Sequence, residues 1–216
     1  MSSPIFIPSL RAQSTIWSSS TAPSQASARD ASPIEVGVKF QSAVSGFIKG
    51  IRFYKGSANT GTHVGHLWTA TGTLLGSVTF TNETATGWQE ADFVAPIPIA
   101  ANTTYVASYH TNVGGYARDS NYFSTNVVSN PPLLAPASGA DGGNGVYVYG
   151  PSSYPSQSYS GSNYWVDVDF AANPSPAAAS TIWSSSTAPS QASARDASPI
   201  EVGVKFQSAM SGFIKG

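Results

Sequence analysis

A second, almost identical copy of one segment is the feature that constrains this chain most. Residues 14–50 and 180–216 align over 37 positions (50 − 14 + 1) with a single difference, Val44 in the first copy and Met210 in the second. The copies begin 166 residues apart (180 − 14), which is the length of one ordinary domain with its linker. Near-identity at this period indicates tandem duplication of a whole domain and excludes a solenoid of short repeats.

The repeat divides the chain into four parts. Residues 1–13 are a leader or linker, residues 14–171 the complete domain, residues 172–179 a linker of Pro, Ala and Ser, and residues 180–216 a truncated second copy. The second copy supplies only two or three strands, which are too few to bury a core. Three interpretations remain open: a piece of a longer array, a donor segment that completes a neighbouring domain, or an element that competes with residues 14–50 in a domain swap.

The dominant pattern inside the complete domain is apolar alternation with period two, which is typical of half-buried strands. Inward positions are predicted as Ile34, Val36, Val38 and Phe40; Leu74, Val78 and Phe80; Tyr105, Ala107 and Tyr109; and Tyr164, Val166, Val168 and Phe170. Trp165, Asp167 and Asp169 are predicted to face outward. Turn signals such as "KGSANTGT" and "GADGGNG" separate the strands. The sequence therefore predicts an all-β fold, a jelly-roll-like antiparallel β-sandwich of about eight or nine strands.

The composition narrows the range of partners. Charged residues make up only 10% of the chain and the net charge is -1, without a block of Lys or Arg. We therefore expect neither nucleic acid nor an anionic membrane as partner. The chain has no cysteine, which excludes disulfides, thiolate metal sites and a cysteine nucleophile. No apolar run approaches 18 residues, so we expect no membrane insertion.

Five stretches together resemble one protein family: "VGVKFQSAVSGFIKGIRFYKG" (36–56), "NTGTHVGHLWTATGTLL" (59–75), "SVTFTNETATGWQEADF" (77–93), "ANTTYVASYH" (101–110) and "GSNYWVDVDF" (161–170). They are similar to the bacterial domain-of-unknown-function family 4082, over nearly all of residues 14–171. The resemblance implies an extracellular or cell-surface β-domain, often repeated or joined to immunoglobulin-like and carbohydrate-active modules. It implies no catalytic residues. The opening "MSSPIFIPSLRAQ" lacks the basic and apolar regions of a signal peptide, so we do not expect this stretch to act as a normal signal peptide.

Catalytic and zinc-binding patterns are weak. His63 and His66 are three residues apart and would point to opposite faces of a strand, which disfavours a zinc site with His110. Serine residues are plentiful, but no nucleophile elbow of the form G-x-S-x-G is present. The acidic pairs Asp167 with Asp169 and Glu90 with Asp92 have the i, i+2 spacing of solvated strand faces. The sequence therefore predicts that the protein is not an enzyme.

A structural calcium ion is the one cofactor that the sequence suggests. The stretch "SGADGGNG" (138–145) offers Asp141 and Asn144 in a glycine-rich loop that can wrap an ion. The alternative is a glycine-rich hairpin turn in which Asp141 caps the backbone.

Aromatic residues give the best functional lead. The stretch "GVYVYG" places Tyr147 and Tyr149 on one face, and the strand that follows it in sequence carries Trp165 and Asp167. If the two strands lie close together, the three rings would form a platform on which sugar rings stack, with Asp167 accepting hydrogen bonds from hydroxyl groups. The alternative is that these aromatic side chains pack in the core.

These observations predict a non-catalytic, extracellular β-sandwich repeat of a larger bacterial surface or secreted protein. It would act in adhesion or as a spacer, with a polysaccharide or cell-surface glycan and the neighbouring repeats as partners. Two alternatives remain: a structural, fibre-forming repeat joined by strand donation from residues 180–216, and an accessory domain of a carbohydrate-active enzyme.

Overall fold

The computed structural model describes residues 13–139 and 141–172, together with Ala188, Ser190, Val204 and Lys205. The chain divides into two compact units, Met1–Ser175 and Pro176–Gly216. The predicted leader 1–13 (apart from Gln13), most of the linker 172–179 and most of the second copy lie outside the described residues. The fold below is that of the first unit.

All regular structure in the described residues is β-strand, and every strand pairing is antiparallel. The strands are β1 Ile34–Ser42, β2 Gly46–Lys55, β3 His63–Thr69, β4 Leu74–Thr79, β5 Gly87–Ile99, β6 Tyr105–Thr111, β7 Val128–Asn130, β8 Leu133–Ala135, β9 Val146–Tyr149, β10 Gln157–Ser158 and β11 Val166–Ala172. Of these eleven described strands, β7, β8 and β10 have only two or three residues. The remaining eight are the longer strands that the turn spacing predicted.

Two sheets form a sandwich-like arrangement, which confirms the predicted all-β sandwich. The larger sheet has eight strands: the order β10-β9-β1-β6-β3-β4 forms its main path, and β8 joins the end of β1 and carries β7. The smaller sheet has the order β11-β2-β5. The first long strand of the repeat therefore lies in one sheet, and the last lies in the other.

The core lies between the inner faces of the two sheets. Val36 and Phe40 of β1 are fully buried there, as predicted, and so are Val166 and Val168 of β11. The ring of Phe53 from β2 stacks on Tyr109 from β6 with centroids 4.1 Å apart, so that aromatic contacts join the sheets. Burying each of these large side chains stabilises the fold by about 1.5–3 kcal/mol.

The predicted alternation fails in β4. Leu74 is 48% exposed, while its neighbour Leu75 packs against the core. The cause is an extra residue in β4: Leu67 and Trp68 of β3 lie opposite Gly76 and Leu74, so that Leu75 has no partner in the pairing. An irregularity of this kind reverses which residues face the core.

A segment outside the named strands extends the smaller sheet at the start of the repeat. Ser14 bridges Phe170 of β11, and each of the two backbone N–H groups donates to the carbonyl of the other residue at 2.9 Å. The side chains of Ile16 and Trp17 follow and are buried. The chain therefore enters and leaves the repeat at the same edge of the smaller sheet.

Candidate functional site

A cluster of four tyrosine side chains, of which only Tyr149 is exposed, lies at one end of the larger sheet. Tyr147 and Tyr149 share a face of β9, as predicted, with ring centroids 5.6 Å apart. Tyr149 is 50% exposed, whereas Tyr147 is half-buried and contacts Tyr164, whose ring lies edge-on at 6.3 Å. Tyr164 in turn contacts Tyr116, with centroids 5.7 Å apart. We call Tyr116, Tyr147, Tyr149 and Tyr164, together with Asp30, the tyrosine rim.

Asp30 connects the phenol groups of the rim. Its Oδ2 accepts hydrogen bonds from the hydroxyls of Tyr149 at 2.5 Å and Tyr116 at 3.2 Å, and its Oδ1 accepts the Ser32 N–H at 3.0 Å. Burial raises the pKa of Asp30, but these hydrogen bonds together hold it below its ordinary value. The same bond to Asp30, followed by burial, raises the pKa of Tyr149. At neutral pH the rim therefore presents phenol groups beside one carboxylate.

Trp165 does not belong to this surface, and its predicted outward position is wrong. It is 2% exposed and has a left-handed backbone with φ of 56°. Its ring lies 5.7 Å from Trp17 and 6.3 Å from Trp88, and its Nε1–H donates to Asp119 at 3.0 Å. Trp165 is thus a packing residue beneath the N-terminal segment, which is the alternative that the sequence left open.

Asp167 points to the outer face of the smaller sheet, as predicted, but it is fully buried there, so its expected exposure to solvent is wrong. Its carboxylate accepts the backbone N–H groups of Ile16 at 2.7 Å and Trp17 at 3.2 Å, and it pairs with Arg52 Nη1 at 3.3 Å. Burial raises the pKa of Asp167 to about 6, although Arg52 and the backbone donors favour the charged form. Asp167 therefore fastens the N-terminal segment and is not available to a sugar hydroxyl.

The predicted calcium ligands Asp141 and Asn144 have separate tasks. Asn144 is buried, and its Oδ1 accepts the N–H groups of Lys39 at 2.9 Å and Gly145 at 2.6 Å. Its Nδ2 donates to the carbonyls of Pro136 at 2.7 Å and Lys39 at 3.1 Å. Because the amide is fully used by backbone groups, Asn144 is not placed as a calcium ligand, and that assignment is wrong.

Asp141 is exposed on the same loop, and cationic and neutral donors surround it. The Lys39 ammonium donates to its backbone carbonyl at 2.5 Å, while Thr104 and Gln41 donate to its carboxylate at 2.5 and 3.1 Å. The Lys39 ammonium therefore already supplies a positive charge beside this loop carbonyl. Asp141 thus binds its own neighbours and not its own turn, so the hairpin-cap alternative also differs from the structure.

The three histidines do not meet. His63 is buried, with Nδ1 2.8 Å from Glu83 Oε1 and Nε2 2.9 Å from Asn59 Oδ1, and burial lowers its pKa. His110 Nε2 lies 3.0 Å from the Gly150 carbonyl. Each ring therefore anchors its own part of the fold.

A polar cluster on the outer face of the larger sheet was not predicted. Glu35 is fully buried there, and its Oε1 lies 2.9 Å from His66 Nδ1 and accepts the Ser108 hydroxyl at 2.6 Å. The Ser152 hydroxyl donates to Glu35 Oε2 at 3.0 Å and lies 3.4 Å from His66 Nε2. The residue types match a Ser–His–Glu triad, but the hydroxyl is directed at the carboxylate as well as the imidazole. The cluster's evident task is to fasten the loop that carries Ser152.

The sequence alone gives little indication that these residues form a cluster. Glu35, His66 and Ser108 lie on three strands, and they meet only because β6 is paired between β1 and β3 with Ser108 opposite His66. The strong alternation around Glu35 did indicate that its side chain points away from the core. A carboxylate on the outer face of a central strand needs hydrogen-bond donors if it is buried, and this requirement could have identified Glu35 as part of a polar cluster.

A family model described as a domain of unknown function (DUF4082) matches residues 20–166. No curated protein matches the chain. Within the described residues, no helix has the length and apolar character to cross a membrane.

Proposed function

The chain belongs to the DUF4082 family of domains of unknown function, and on that premise we propose that it is a non-catalytic repeat of an extracellular or cell-surface protein that binds glycan through its tyrosine rim. The observation that carries this proposal is the half-exposed ring of Tyr149 beside Tyr147 and the Asp30 carboxylate. An exposed aromatic ring can stack on the C–H face of a sugar, while a neighbouring carboxylate accepts its hydroxyl groups. The rim replaces the predicted platform, since Trp165 and Asp167 are interior.

The path of the backbone through the repeat favours a role in adhesion over a role as a spacer. Because Ser14 and Phe170 are hydrogen-bonded neighbours, a repeat adds little to the distance between the segments before and after it. The eight residues of the predicted linker 172–179 span at most about 28 Å. In an array, short linkers of this length would join successive repeats. Closely spaced weak sites gain avidity through their high effective concentration, which is what a surface adhesin uses.

Affinity electrophoresis of the full chain on a panel of soluble and insoluble polysaccharides tests the proposal. We expect retardation by at least one glycan, loss of that retardation in Tyr149→Ala, and partial retention in Tyr149→Phe, which keeps the ring. Tyr159→Ala is the matched control, because Tyr159 is also exposed but is not part of the rim. Unchanged migration of the parent chain on every glycan, or equal loss in Tyr159→Ala, would contradict glycan binding at the rim.

Strand donation is a second candidate function, favoured by the way the N-terminal segment binds β11. Residues 14–17 form two backbone hydrogen bonds with Phe170 and donate two amide N–H groups to Asp167. The side chains of Ile16 and Trp17 are also buried. Residues 180–183 have the identical sequence, Ser-Thr-Ile-Trp. Bound to β11 of another copy, they would join chains end to end by β-augmentation.

Matched tryptophan variants of the full chain distinguish this candidate. If residues 180–183 replace residues 14–17 on β11, Trp17→Ala costs little stability alone and much more in combination with Trp183→Ala. Sedimentation would then show concentration-dependent assembly if the donor comes from another chain. A Trp17→Ala variant as unstable as the double variant would rule out donation.

A further inference from the structure

Three carboxylates converge on the outer face of the smaller sheet. Glu90 and Asp92 come from β5 and Asp169 from β11, and one oxygen of each lies within 4.8 Å of the others. The sequence placed these residues on two separate solvated faces, since only their i, i+2 spacing was visible. The sheet order β11-β2-β5 brings the two strands to either side of β2.

The strand between them leaves a gap at this position. Gly50 of β2 pairs with Asp169 on one side and Asp92 on the other. A Cβ atom at position 50 would lie 2.7 Å from Asp92 Oδ1 and 2.5 Å from the Ala91 carbonyl, closer than such contacts occur. Because glycine has no side chain, the Asp92 carboxylate can lie against β2 at this position.

One oxygen in this cluster has no hydrogen bond to satisfy it. Asp169 is 1% exposed, and its Oδ2 accepts Lys49 Nζ at 3.0 Å and the Gln13 side-chain amide. Its Oδ1 is buried and has no hydrogen-bond partner among the described residues. An unsatisfied buried acceptor is costly, and more so when it is charged. The orphaned oxygen belongs to the carboxylate that faces Glu90 and Asp92.

The charges around the gap favour a cation. Asp167, Asp169, Glu90 and Asp92 contribute four carboxylates to this face, whereas Lys49 and Arg52 contribute two cations. Arg52 lies between Asp167 at 3.3 Å and Glu90 at 3.5 Å, and Lys49 contacts Asp169. The balance of two negative charges (4 − 2) equals the charge of one divalent ion.

We propose that Glu90, Asp92 and Asp169 form a binding site for a divalent cation of the calcium class. All three donors are carboxylate oxygens, the ligands of hard cations, and no nitrogen or sulfur donor competes. Two Ca–O bonds of about 2.4 Å span about 4.8 Å, and no two of the three oxygens are farther apart than this, so one ion can bridge any two of them with the third close by. The exposed positions of Glu90 and Asp92 leave room for water to complete the coordination.

The ion would fasten β11 to β5 across β2. Asp169 follows Asp167, the residue that holds the N-terminal segment, so the ion would strengthen the edge at which the chain enters and leaves the repeat. A ligand that binds only the folded state shifts the folding equilibrium by a factor of 1 + [L]/Kd, which is about elevenfold at ten times its Kd. Millimolar extracellular calcium and a Kd of about 0.1–1 mM, typical of extracellular modules, fit such a role.

Calorimetry and thermal unfolding of the full chain test the site directly. After EDTA treatment and dialysis, titration with CaCl2 should give one ion per chain, and CaCl2 should raise the Tm relative to EDTA. Asp92→Asn and Glu90→Gln should each weaken binding at least tenfold and abolish the Tm shift. Both variants keep the size of the side chain and spare the buried Asp169, so their folding is expected to be preserved.

Asp141→Asn is the matched control, because it neutralises the exposed carboxylate of the glycine-rich loop. It should bind calcium as the parent chain does. Two results would overturn the proposal: neither heat nor a Tm shift in the parent chain at millimolar CaCl2, or binding that survives Asp92→Asn and Glu90→Gln. Loss of calcium binding in Asp141→Asn, with binding kept in Asp92→Asn and Glu90→Gln, would also overturn the proposal.

Discussion

The strands β9 and β11 carry similar patterns but have opposite surroundings. Both alternate, and both have an aromatic residue at a position that the alternation assigns to the solvent or the rim of the sandwich. Tyr149 of β9 is 50% exposed, whereas Trp165, which precedes β11, is 2% exposed. One pattern therefore leads to a surface in the first case and to an interior in the second.

The difference comes from a segment distant in sequence. Residues 14–17 cover the outer side of β11, about 150 residues away along the chain, and Asp167 holds their amides. β9 is flanked at the edge only by the two-residue strand β10. Alternation thus identifies the two faces of a strand, but a covering segment decides which of them meets water.

Removing the Trp165 ring should have the largest effect on stability. Trp165→Ala deletes contacts with Trp17, Trp88 and Tyr122, and should lower the free energy of unfolding by about 3–5 kcal/mol. Trp165→Gly should be about 1 kcal/mol more stable than the alanine variant, because glycine adopts the left-handed backbone at no cost. Urea unfolding of the full chain measures both. A loss below 1 kcal/mol in both would mean that Trp165 lies at the surface.

The buried Asp167 should make the free energy of unfolding depend on pH. Its pKa in the folded state is about 6, above the ordinary 3.8, so its contribution to stability is fully present below about pH 3.8 and is lost as pH rises through 6. The free energy of unfolding of the parent chain minus that of Asp167→Asn should therefore be greater at pH 4 than at pH 7, by about 2 kcal/mol. The comparison cancels the titration of other groups. A difference that grows with pH would reverse the assignment.

The same contrast between covered and open positions exists within the loop 138–145. Asn144→Ala leaves buried backbone groups of Lys39 and Pro136 unpaired, and should cost about 2 kcal/mol. Asp141→Ala on the exposed side should cost less than about 0.5 kcal/mol. Paired denaturation curves of the two variants check this. Equal losses would show that the two residues act as one site.

The smallest expected stability effect is at the rim. Tyr149→Ala should lower the free energy of unfolding by less than about 1 kcal/mol, because half of the ring is already in water and its bond to Asp30 is exposed. This small loss would leave the variant folded for glycan assays. A loss as large as that of Trp165→Ala would mean that β9 is covered as β11 is.

The sequence was sufficient for features that depend on neighbouring residues. The alternation of Ile34–Phe40 predicted β1 and its buried face, and the stretch around Tyr147 predicted the shared face with Tyr149. Features that depend on pairing could not be predicted. The burial of Asp167 depends on the amides of Ile16 and Trp17, and the cluster at Glu35 depends on the order of three strands. The exposure of Leu74 depends on the register shift between β4 and β3.

Hydrogen exchange at the amides of Ile16 and Trp17 tests most directly whether the N-terminal segment closes β11. The measurement uses NMR on the full chain, with Ile182→Val to separate the first copy from the second. We predict protection comparable to that of the β11 amides Val166–Phe170, because both amides donate to the buried Asp167. Exchange at the rate of an unstructured chain would contradict the account, and Trp165 would then return to the surface as a candidate binding residue.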